Sequence, residues 1–303
     1  IDGVDGFTLN GSNGAVVNAG AIHASATGIL SNVNAVTNSG NIAGATGVDI
    51  DHARLINESG GHIEGTDVGV ALDYARLTNR GTISSDGTTV SIEEKSTISN
   101  TGTINGDIHV LDGGRVHVVS LHGTINGMIF GNSDGDTYET NQSDLKIVES
   151  ADAGKGPDTV YASVDFTLPE NIEILHLVYA ADVNGHGNGS DNYVYGNKGE
   201  NHLFGKAGAD YVDGGTGDDM LTGGVGEDTF VFAKGTGHDT LTDYVDEVDI
   251  IRTDGFRSTF ADWESHMSQH GNDVWIDFNK HDRLIIEDTK LKQIEASDFD
   301  MHL

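Results

Sequence analysis

The chain has 303 residues, with 48 acidic and 16 basic side chains, so its formal net charge is −32. Such a surface repels polyphosphate, which argues against a nucleic-acid partner. The lack of cysteine excludes disulfides and thiolate metal sites, and no stretch has the roughly 18 consecutive apolar residues of a membrane span. The acidic excess runs along the whole chain and predicts that a hard divalent cation neutralises it.

The first part of the chain repeats with a period near 20 residues. Each repeat carries the pattern Asn-x-Gly-x-Ile, as at residues 38–42, 79–83 and 100–104, and short alternating apolar segments lie between these anchors. Short strands joined by tight turns at this period are typical of a parallel β-helix, with apolar side chains stacked inside and Asn and Gly at the turns. We therefore expect a right-handed parallel β-helix rod over residues 1–130.

Two rungs of this rod nearly duplicate each other and raise an enzymatic hypothesis. The two sets, which should stack because they lie 22 residues apart, are Asp51, His52 and Arg54, and Asp73, Tyr74 and Arg76. An arginine that neutralises a carboxylate, beside a His or Tyr base and a Tyr acid, is what a uronate lyase or C5-epimerase needs to remove the C5 proton. The structural alternative treats each Asp and Arg as an exposed ion pair that contributes about 0–1 kcal/mol.

Residues 131–182 are expected to form junction strands, and residues 183–245 repeat with a period of nine. Four consecutive blocks follow Gly-Gly-x-Gly-x-Asp-x-U-x, where U is apolar, and they start at Gly196, Gly205, Gly214 and Gly223. The glycines permit positive φ, the sixth residue presents a carboxylate or amide, and the eighth points into a core. Two blocks complete one coil, so sixth residues 18 apart should stack. One edge would carry Asn192, Asp210 and Asp228, and the other would carry Asn201, Asp219 and Asp239.

Carboxylates stacked at a rung spacing of about 4.8 Å repel one another strongly when they are desolvated. A calcium ion between them converts that repulsion into coordination, because Ca²⁺ accepts six to eight oxygens and turn carbonyls supply the remainder. Transition metals are disfavoured, because the chain has no cysteine and His202 and His238 do not recur in phase. We expect about three to five calcium ions in this segment.

Residues 187–241 resemble the hemolysin-type calcium-binding repeats of RTX proteins, whose fold is a parallel β-roll. The resemblance implies that the sixth-position side chains are calcium ligands and that the first and fourth glycines of each block add carbonyl oxygens. Those glycines are Gly196, Gly199, Gly205, Gly208, Gly214, Gly217, Gly223 and Gly226. Asn192 and Asn201 stand where the family has aspartate, so sites that use them should be weaker or empty.

Residues 246–303 are expected to cap the roll and to carry a secretion signal. Apolar residues at 256, 260, 263 and 267 predict one amphipathic helix over 256–269, and the segments 272–278 and 282–287 predict a strand pair. Residues 297–303 resemble the C-terminal signals of type I secreted proteins. The resemblance implies passage through a type I exporter to the exterior or surface of a Gram-negative bacterium, where calcium supplies the free energy of folding.

The rod resembles the passenger repeats of autotransporter-type adhesins, which implies an adhesive, matrix or surface-structural role with an extracellular polysaccharide or cell-surface glycan as partner. Mannuronan C5-epimerases also join a β-helix to RTX modules, but this sequence lacks their Tyr-Gly-x-Asp-Pro-His element. The sequence therefore favours an all-β, non-enzymatic calcium-binding protein. A polysaccharide lyase or C5-epimerase with its site on the β-helix face stays open as the alternative.

Overall fold

The computed structural model describes residues 2–3, 7–9, 14–32, 35–111, 113–151, 156–256 and 259–302. The chain divides into two compact units, Ile1–Asp158 and Thr159–Leu303. Both units are built almost entirely from short strands, as the two repeat periods predict. Among the described residues, no helix has the length and apolar character needed to cross a membrane.

The described strands of unit 1 are β1 (Asp2–Gly3), β2 (Phe7–Leu9), β3 (Ala15–Asn18), β4 (Ala21–Ala24), β5 (Thr27–Ser31), β6 (Ala35–Asn38), β7 (Asn41–Asp51), β8 (Arg54–Asn57), β9 (His62–Asp73), β10 (Arg76–Asn79), β11 (Thr82–Ser85), β12 (Thr88–Ile92), β13 (Ser96–Asn100), β14 (Thr103–Asn105), β15 (Ile108–Val110), β16 (Val116–Ser120), β17 (Thr124–Ile125), β18 (Met128–Phe130), β19 (Thr137–Thr140) and β20 (Lys146–Val148). One sheet follows the order β1-β4-β7-β9-β12-β15-β18-β20, and the facing set follows β3-β6-β8-β10-β13-β16-β19. All of these neighbours pair in parallel, so unit 1 is a parallel β-solenoid.

The core of unit 1 consists of columns of apolar side chains that repeat from rung to rung. In one column, Leu55 is in register with Leu77, and Leu77 is in register with Ile98. In another column, Ile63 follows Ile42 and precedes Ile83. All of these side chains are fully buried, and each contributes about 1.5–3 kcal/mol through the removal of apolar surface from water.

A buried asparagine ladder explains the recurring Asn-x-Gly of the first repeat. The members are Asn18, Asn38, Asn57, Asn79 and Asn100, and each amide Nδ2 donates to the next amide Oδ1 at 2.8–2.9 Å. The ladder ends where Asn100 donates to the hydroxyl of Ser120. The glycine leaves room for the turn below, because a Cβ on Gly40 would lie 2.0 Å from the carbonyl oxygen of Gly20.

The described elements of unit 2 are β21 (Thr159–Ala162), β22 (Phe166–Thr167), β23 (Ile174–Leu177), β24 (Gly185–His186), β25 (Tyr193–Tyr195), β26 (His202–Ala207), β27 (Tyr211–Asp213), β28 (Met220–Val225), β29 (Thr229–Ala233), β30 (His238–Leu241), β31 (Ile250–Asp254), α1 (Phe260–Glu264), β32 (Met267–His270), β33 (Asp273–Asp277), β34 (Arg283–Ile286), two 3₁₀ turns (Leu291–Gln293 and Ala296–Asp298) and β35 (Phe299–His302). Successive strands from β21 to β31 alternate between two sheets. One follows β21-β23-β25-β27-β29-β31-β35, and the other follows β22-β24-β26-β28-β30-β34-β33-β32. Two strands complete one coil, which is the β-roll that the nonapeptides predict.

The 18-residue register of the roll is confirmed by its strand pairs. Val194 pairs with Val212, and Val212 pairs with Phe230. On the other sheet, Leu221 follows Leu203 after 18 residues, but it pairs with Leu241 after 20, because a two-residue insertion precedes the last block. All of these eighth-position side chains are buried.

The C-terminal part forms a cap with one short helix, but the predicted helix over 256–269 is wrong in its extent. Helix α1 covers only Phe260–Glu264, and Met267 already begins strand β32, which pairs antiparallel with β33. Residues 257–258 lie outside the described residues. The apolar spacing arises instead because Phe256, Trp263 and Met267 are all buried, the first two around Phe278. The predicted strand pair is present as β33 and β34.

The residues that resemble a secretion signal lie in a 3₁₀ turn (Ala296–Asp298) and in strand β35, which pairs with β31. Phe299 of this strand is buried. Leu303, the last residue of that predicted signal, lies outside the described residues.

Candidate calcium site

The sixth residues of the nonapeptides form two hydrogen-bonded ladders in the roll. The first ladder contains Asn192, Asp210, Asp228 and Asp249, and the second contains Asn201, Asp219 and Asp239. At each step, the backbone N–H of one residue donates to the carboxylate Oδ1 of the next, at 2.8–3.0 Å. The structure therefore places one sixth-position residue above another, as the sequence predicts.

The second carboxylate oxygen lacks a hydrogen bond at three of these positions. Asp210, Asp219 and Asp239 are at most 2% exposed, and the Oδ2 atom of each is buried without a hydrogen-bond partner. Burial of such an oxygen is costly, because nothing replaces the water that it loses. The pKa values reflect this cost: burial raises the pKa of Asp210 and of Asp219 to about 7 and that of Asp239 to about 8.

Asp228 and Asp249 of the first ladder lie in a similar environment. Burial also raises the pKa of both carboxyls, although the backbone N–H donors oppose the rise. A charged form of any of these side chains needs a positive partner at close range.

The first glycine of each block leaves the space next to these oxygens. A Cβ atom on Gly205 would lie 2.3 Å from Oδ2 of Asp210, and a Cβ on Gly214 would lie 2.4 Å from Oδ2 of Asp219. Gly223 stands in the same relation to Asp228, and Gly196 to Oδ1 of Asn201. Only glycine fits at the first position, since any side chain would fill the space beside the carboxylate.

The fourth glycines bring turn carbonyls close to the turn below. A Cβ on Gly217 would lie 2.4 Å from the carbonyl oxygen of Gly199, and a Cβ on Gly226 would lie 1.7 Å from that of Gly208. Gly208 and Gly217 also have φ values of +119° and +135°, which favour glycine. The donor set of carboxylate and carbonyl oxygens, without nitrogen or sulfur, suits Ca²⁺.

Asn192 and Asn201 fill the corresponding space with hydrogen bonds. The amide Nδ2 of Asn192 donates to the carbonyl of Ile172 at 3.1 Å, and that of Asn201 donates to the carbonyl of Val183 at 2.8 Å. Their Oδ1 atoms accept from backbone N–H groups four residues earlier. Both polar atoms of each asparagine side chain thus have protein partners, whereas Oδ2 of Asp210, Asp219 and Asp239 has none.

Asp249 was missed by the sequence analysis, because the segment before it breaks the nine-residue phase. A usable signal exists nevertheless: Asp249 and Ile251 keep the Asp-x-U spacing, and Ile251 pairs with the eighth-position residue Phe230. The same spacing also occurs in unit 1, at Asp136 and Tyr138.

A buried carboxylate cluster in unit 1 uses the same hydrogen-bond pattern. The N–H of Val116 donates to Asp136, and the N–H of Asp136 donates to Asp158. Three carboxylates come together here, and one oxygen atom from each lies within 4.8 Å of the other two: those of Asp136, Glu149 and Asp158. Burial raises the pKa of Asp136 to about 6 and that of Glu149 to about 9, and Tyr138 donates a hydrogen bond to Glu149.

The two near-duplicate rungs of unit 1 stack as their 22-residue offset predicts. Asp51 is in register with Asp73, and Arg54 is in register with Arg76. The His52 ring lies 4.8 Å from the Tyr74 ring. Nδ1 of His52 contacts the Asp51 carboxylate, so the ion-pair partner of Asp51 is the adjacent His52. The His52 side chain is 67% exposed.

Nearby carboxylates dominate the electrostatics of this turn. The hydrogen bond to Asp51 raises the pKa of His52, and the charge of Glu94 raises the pKa of Tyr74. Such a cluster of negative charge would repel the carboxylate of a uronate substrate.

The fold is thus a parallel β-solenoid whose unit 2 is a β-roll with stacked aspartates. Residues 186–221, 195–230 and 204–241 match the family of RTX calcium-binding nonapeptide repeats. Residues 186–241 are therefore RTX repeats, which bind calcium and are typical of secreted bacterial proteins.

Two solved structures are similar to parts of this chain. The solution structure of the AlgE6R3 subunit of mannuronan C5-epimerase from Azotobacter vinelandii is 23% identical with a TM-score of 0.33, and the match covers 41% of this chain and 82% of that one. The extracellular lipase LipA from Serratia marcescens is 17% identical with a TM-score of 0.28, and the match covers 69% of this chain and 40% of the lipase. No curated protein matches the chain.

Proposed function

We propose that this protein is a secreted calcium-binding protein whose β-roll acquires its fold when calcium binds. The observation that carries the proposal is that Oδ2 is buried without a hydrogen bond in Asp210 of the first ladder and in Asp219 and Asp239 of the second. Calcium would supply the positive charge and the coordination that these oxygens lack. Without calcium, the same carboxylates must be either protonated or buried as unpaired charges, and both alternatives oppose folding.

The ladder aspartates and the first and fourth glycines of the blocks would hold the ions. The carboxylates give the charge, and turn carbonyls complete the coordination shell. About three to five ions follow from five aspartates distributed over two ladders. Asn192 and Asn201, the first residues of the two ladders, would bind no metal, since their amide groups already donate hydrogen bonds to backbone carbonyls.

Calcium-dependent folding also suggests that the protein acts outside the cell. A chain that stays unfolded at the low calcium of the cytosol can pass a type I exporter of a Gram-negative bacterium, and millimolar calcium outside would then fold it. We expect the β-helix of unit 1 to serve an adhesive, matrix or surface-structural role toward an extracellular polysaccharide or cell-surface glycan.

A circular dichroism titration of the full chain tests the calcium switch. We expect β structure to increase when Ca²⁺ replaces EGTA, and we expect Mg²⁺ at equal concentration to leave the spectrum unchanged, because Mg²⁺ gives up its water reluctantly. An identical spectrum in EGTA and in millimolar Ca²⁺ would rule out calcium-driven folding.

A uronate lyase or C5-epimerase is the second candidate. The contact between the His52 and Tyr74 rings favours it, whereas the negative charge of Asp51 and Asp73 opposes binding of a uronate. An enzyme should produce unsaturated uronate from alginate or pectate, or change the uronate composition, and both Tyr74→Phe and Arg76→Ala should abolish this activity. If the folded, calcium-loaded protein leaves both polymers unchanged, this candidate is excluded.

A further inference from the structure

A row of aromatic rings runs along the outer side of one sheet of the roll. Tyr161, His176 and Tyr195 are register neighbours on β21, β23 and β25. Their ring centroids are 4.9 and 4.4 Å apart, and both pairs are nearly parallel, at 8°. The next register neighbour of Tyr195 is Asp213, so the stack of rings ends at Tyr195.

A cleft of about 760 Å³ begins where this stack ends. The residues that line it include Tyr193, Tyr195 and Tyr211 together with Arg252 and Asp300. The Tyr211 ring lies 5.5 Å from the Tyr193 ring and 5.9 Å from the Tyr195 ring, and it is tilted against both. The Tyr193 side chain is large and apolar in its body, yet the residue is 48% exposed.

The cleft carries charges of both signs. Arg252 donates a hydrogen bond to Asp254 at 3.3 Å, and Asp300 is a further acidic neighbour of its guanidinium. A cationic ligand would meet Arg252, while an anionic ligand would meet these carboxylates and a chain of net charge −32. The cleft therefore suits an uncharged ligand that is rich in hydroxyl groups.

We propose that this cleft binds a neutral saccharide, with sugar rings packed on Tyr195 and Tyr211 and sugar hydroxyls bonded to Arg252 and Asp300. Tyrosine rings offer an apolar face and a polar edge, and charged groups form strong hydrogen bonds to hydroxyls. Such convergence of aromatic and polar groups in a concave site is what orients small ligands. The inference rests on the proposed function, because the cleft lies on coils that calcium is expected to order.

Affinity electrophoresis in calcium-containing gels tests the proposal. The probes are the neutral polymers mixed-linkage β-glucan, glucomannan, galactomannan, amylose and dextran, with alginate as the anionic polymer. We expect at least one neutral polymer to retard the folded protein and alginate to leave it unaffected. The proposal is overturned if no neutral polymer retards the folded chain or if alginate alone does.

The variants Tyr211→Ala and Arg252→Gln locate the site. Each should weaken retardation about tenfold, which corresponds to about 1.4 kcal/mol. The matched control is Tyr179→Ala, which removes a tyrosine that is 62% exposed and does not line the cleft. If Tyr211→Ala fails to fold, Tyr193→Ala takes its place, because that side chain is half exposed. Equal behaviour of a cleft variant and Tyr179→Ala would contradict the assignment.

Calcium titration of every variant separates the two ways to fail. A chain that folds with calcium but binds no neutral polymer contradicts the saccharide site and leaves the calcium switch intact. A chain that shows no calcium-dependent folding contradicts the calcium switch itself.

Discussion

The residue at the sixth position of a nonapeptide determines whether all of its buried polar atoms find protein partners. In Asn201, Oδ1 accepts from the backbone N–H of Asn197 and Nδ2 donates to the carbonyl of Val183. In Asp219, one coil further along the same ladder, Oδ1 accepts from the backbone N–H of Asn201, but Oδ2 lies buried without a partner. The difference between an amide and a carboxylate thus separates a coil closed by hydrogen bonds from a coil that needs a cation.

Asp219→Asn tests this exchange. The new amide can donate where the carboxylate could only accept, so we expect the variant to fold and to bind about one calcium ion fewer. The control is Glu227→Gln, which removes the same charge from an exposed position in the same repeats. Metal analysis after dialysis gives the count, and equal calcium content in both variants would contradict the ligand role of Asp219.

The raised pKa values predict that protons compete with calcium. The pKa values of Asp210 and Asp219 are about 7 and that of Asp239 is about 8 in the metal-free fold, well above their ordinary value. Protonation therefore stabilises the metal-free roll as the pH falls through this range, whereas calcium needs the ionised form.

In EGTA, β structure in the roll should therefore increase as the pH is lowered from about 8 to about 6, because protonation stabilises the metal-free fold. Circular dichroism of the full chain in EGTA across this range measures the change. A spectrum in EGTA that does not depend on pH would contradict the raised pKa values of these carboxyls.

The asparagine ladder is the corresponding device in unit 1, and it needs no ion. Asn57 accepts from Asn38 and donates to Asn79, both at 2.9 Å, and it is fully buried. An amide both donates and accepts, so identical side chains can stack without a partner of opposite charge. Aspartates cannot do this, which is why the stacked aspartates of the roll require another group.

Asn57→Ala should destabilise unit 1 by about 2–3 kcal/mol, because it leaves buried amide groups of two neighbouring rungs without their partners. The matched control is Asn126→Ala, which removes an exposed amide pair with Asn105 and should cost less than about 0.5 kcal/mol. Urea denaturation of the full chain measures both values. A loss in Asn57→Ala no larger than that of the control would contradict a structural role for the ladder.

The elements differ in how far the sequence determines them. The repeat periods predict the solenoid, its register and its buried columns, because apolar positions such as Leu203 and Leu221 recur at fixed spacing. The helix was predicted too long because a strand that pairs with β33 and a buried aromatic cluster produce the same spacing of apolar residues. Asp249 was missed because an insertion removes it from the period, although its spatial register is kept.

At the scale of the whole molecule, the two units solve the same packing problem in different ways. Unit 1 stacks asparagine amides at its turns, whereas the roll of unit 2 stacks carboxylates such as Asp210 and Asp228. We therefore expect the stability of unit 2 to depend on calcium much more strongly than that of most of unit 1.

Hydrogen exchange of the full chain, in EGTA and in millimolar calcium, tests this claim most directly. Backbone amides within 186–241 should exchange rapidly without calcium and become protected with it, because opening then requires loss of the bound ions. Amides of the rungs between residues 35 and 111 should be protected in both conditions. Equal protection of residues 186–241 with and without calcium would contradict the account.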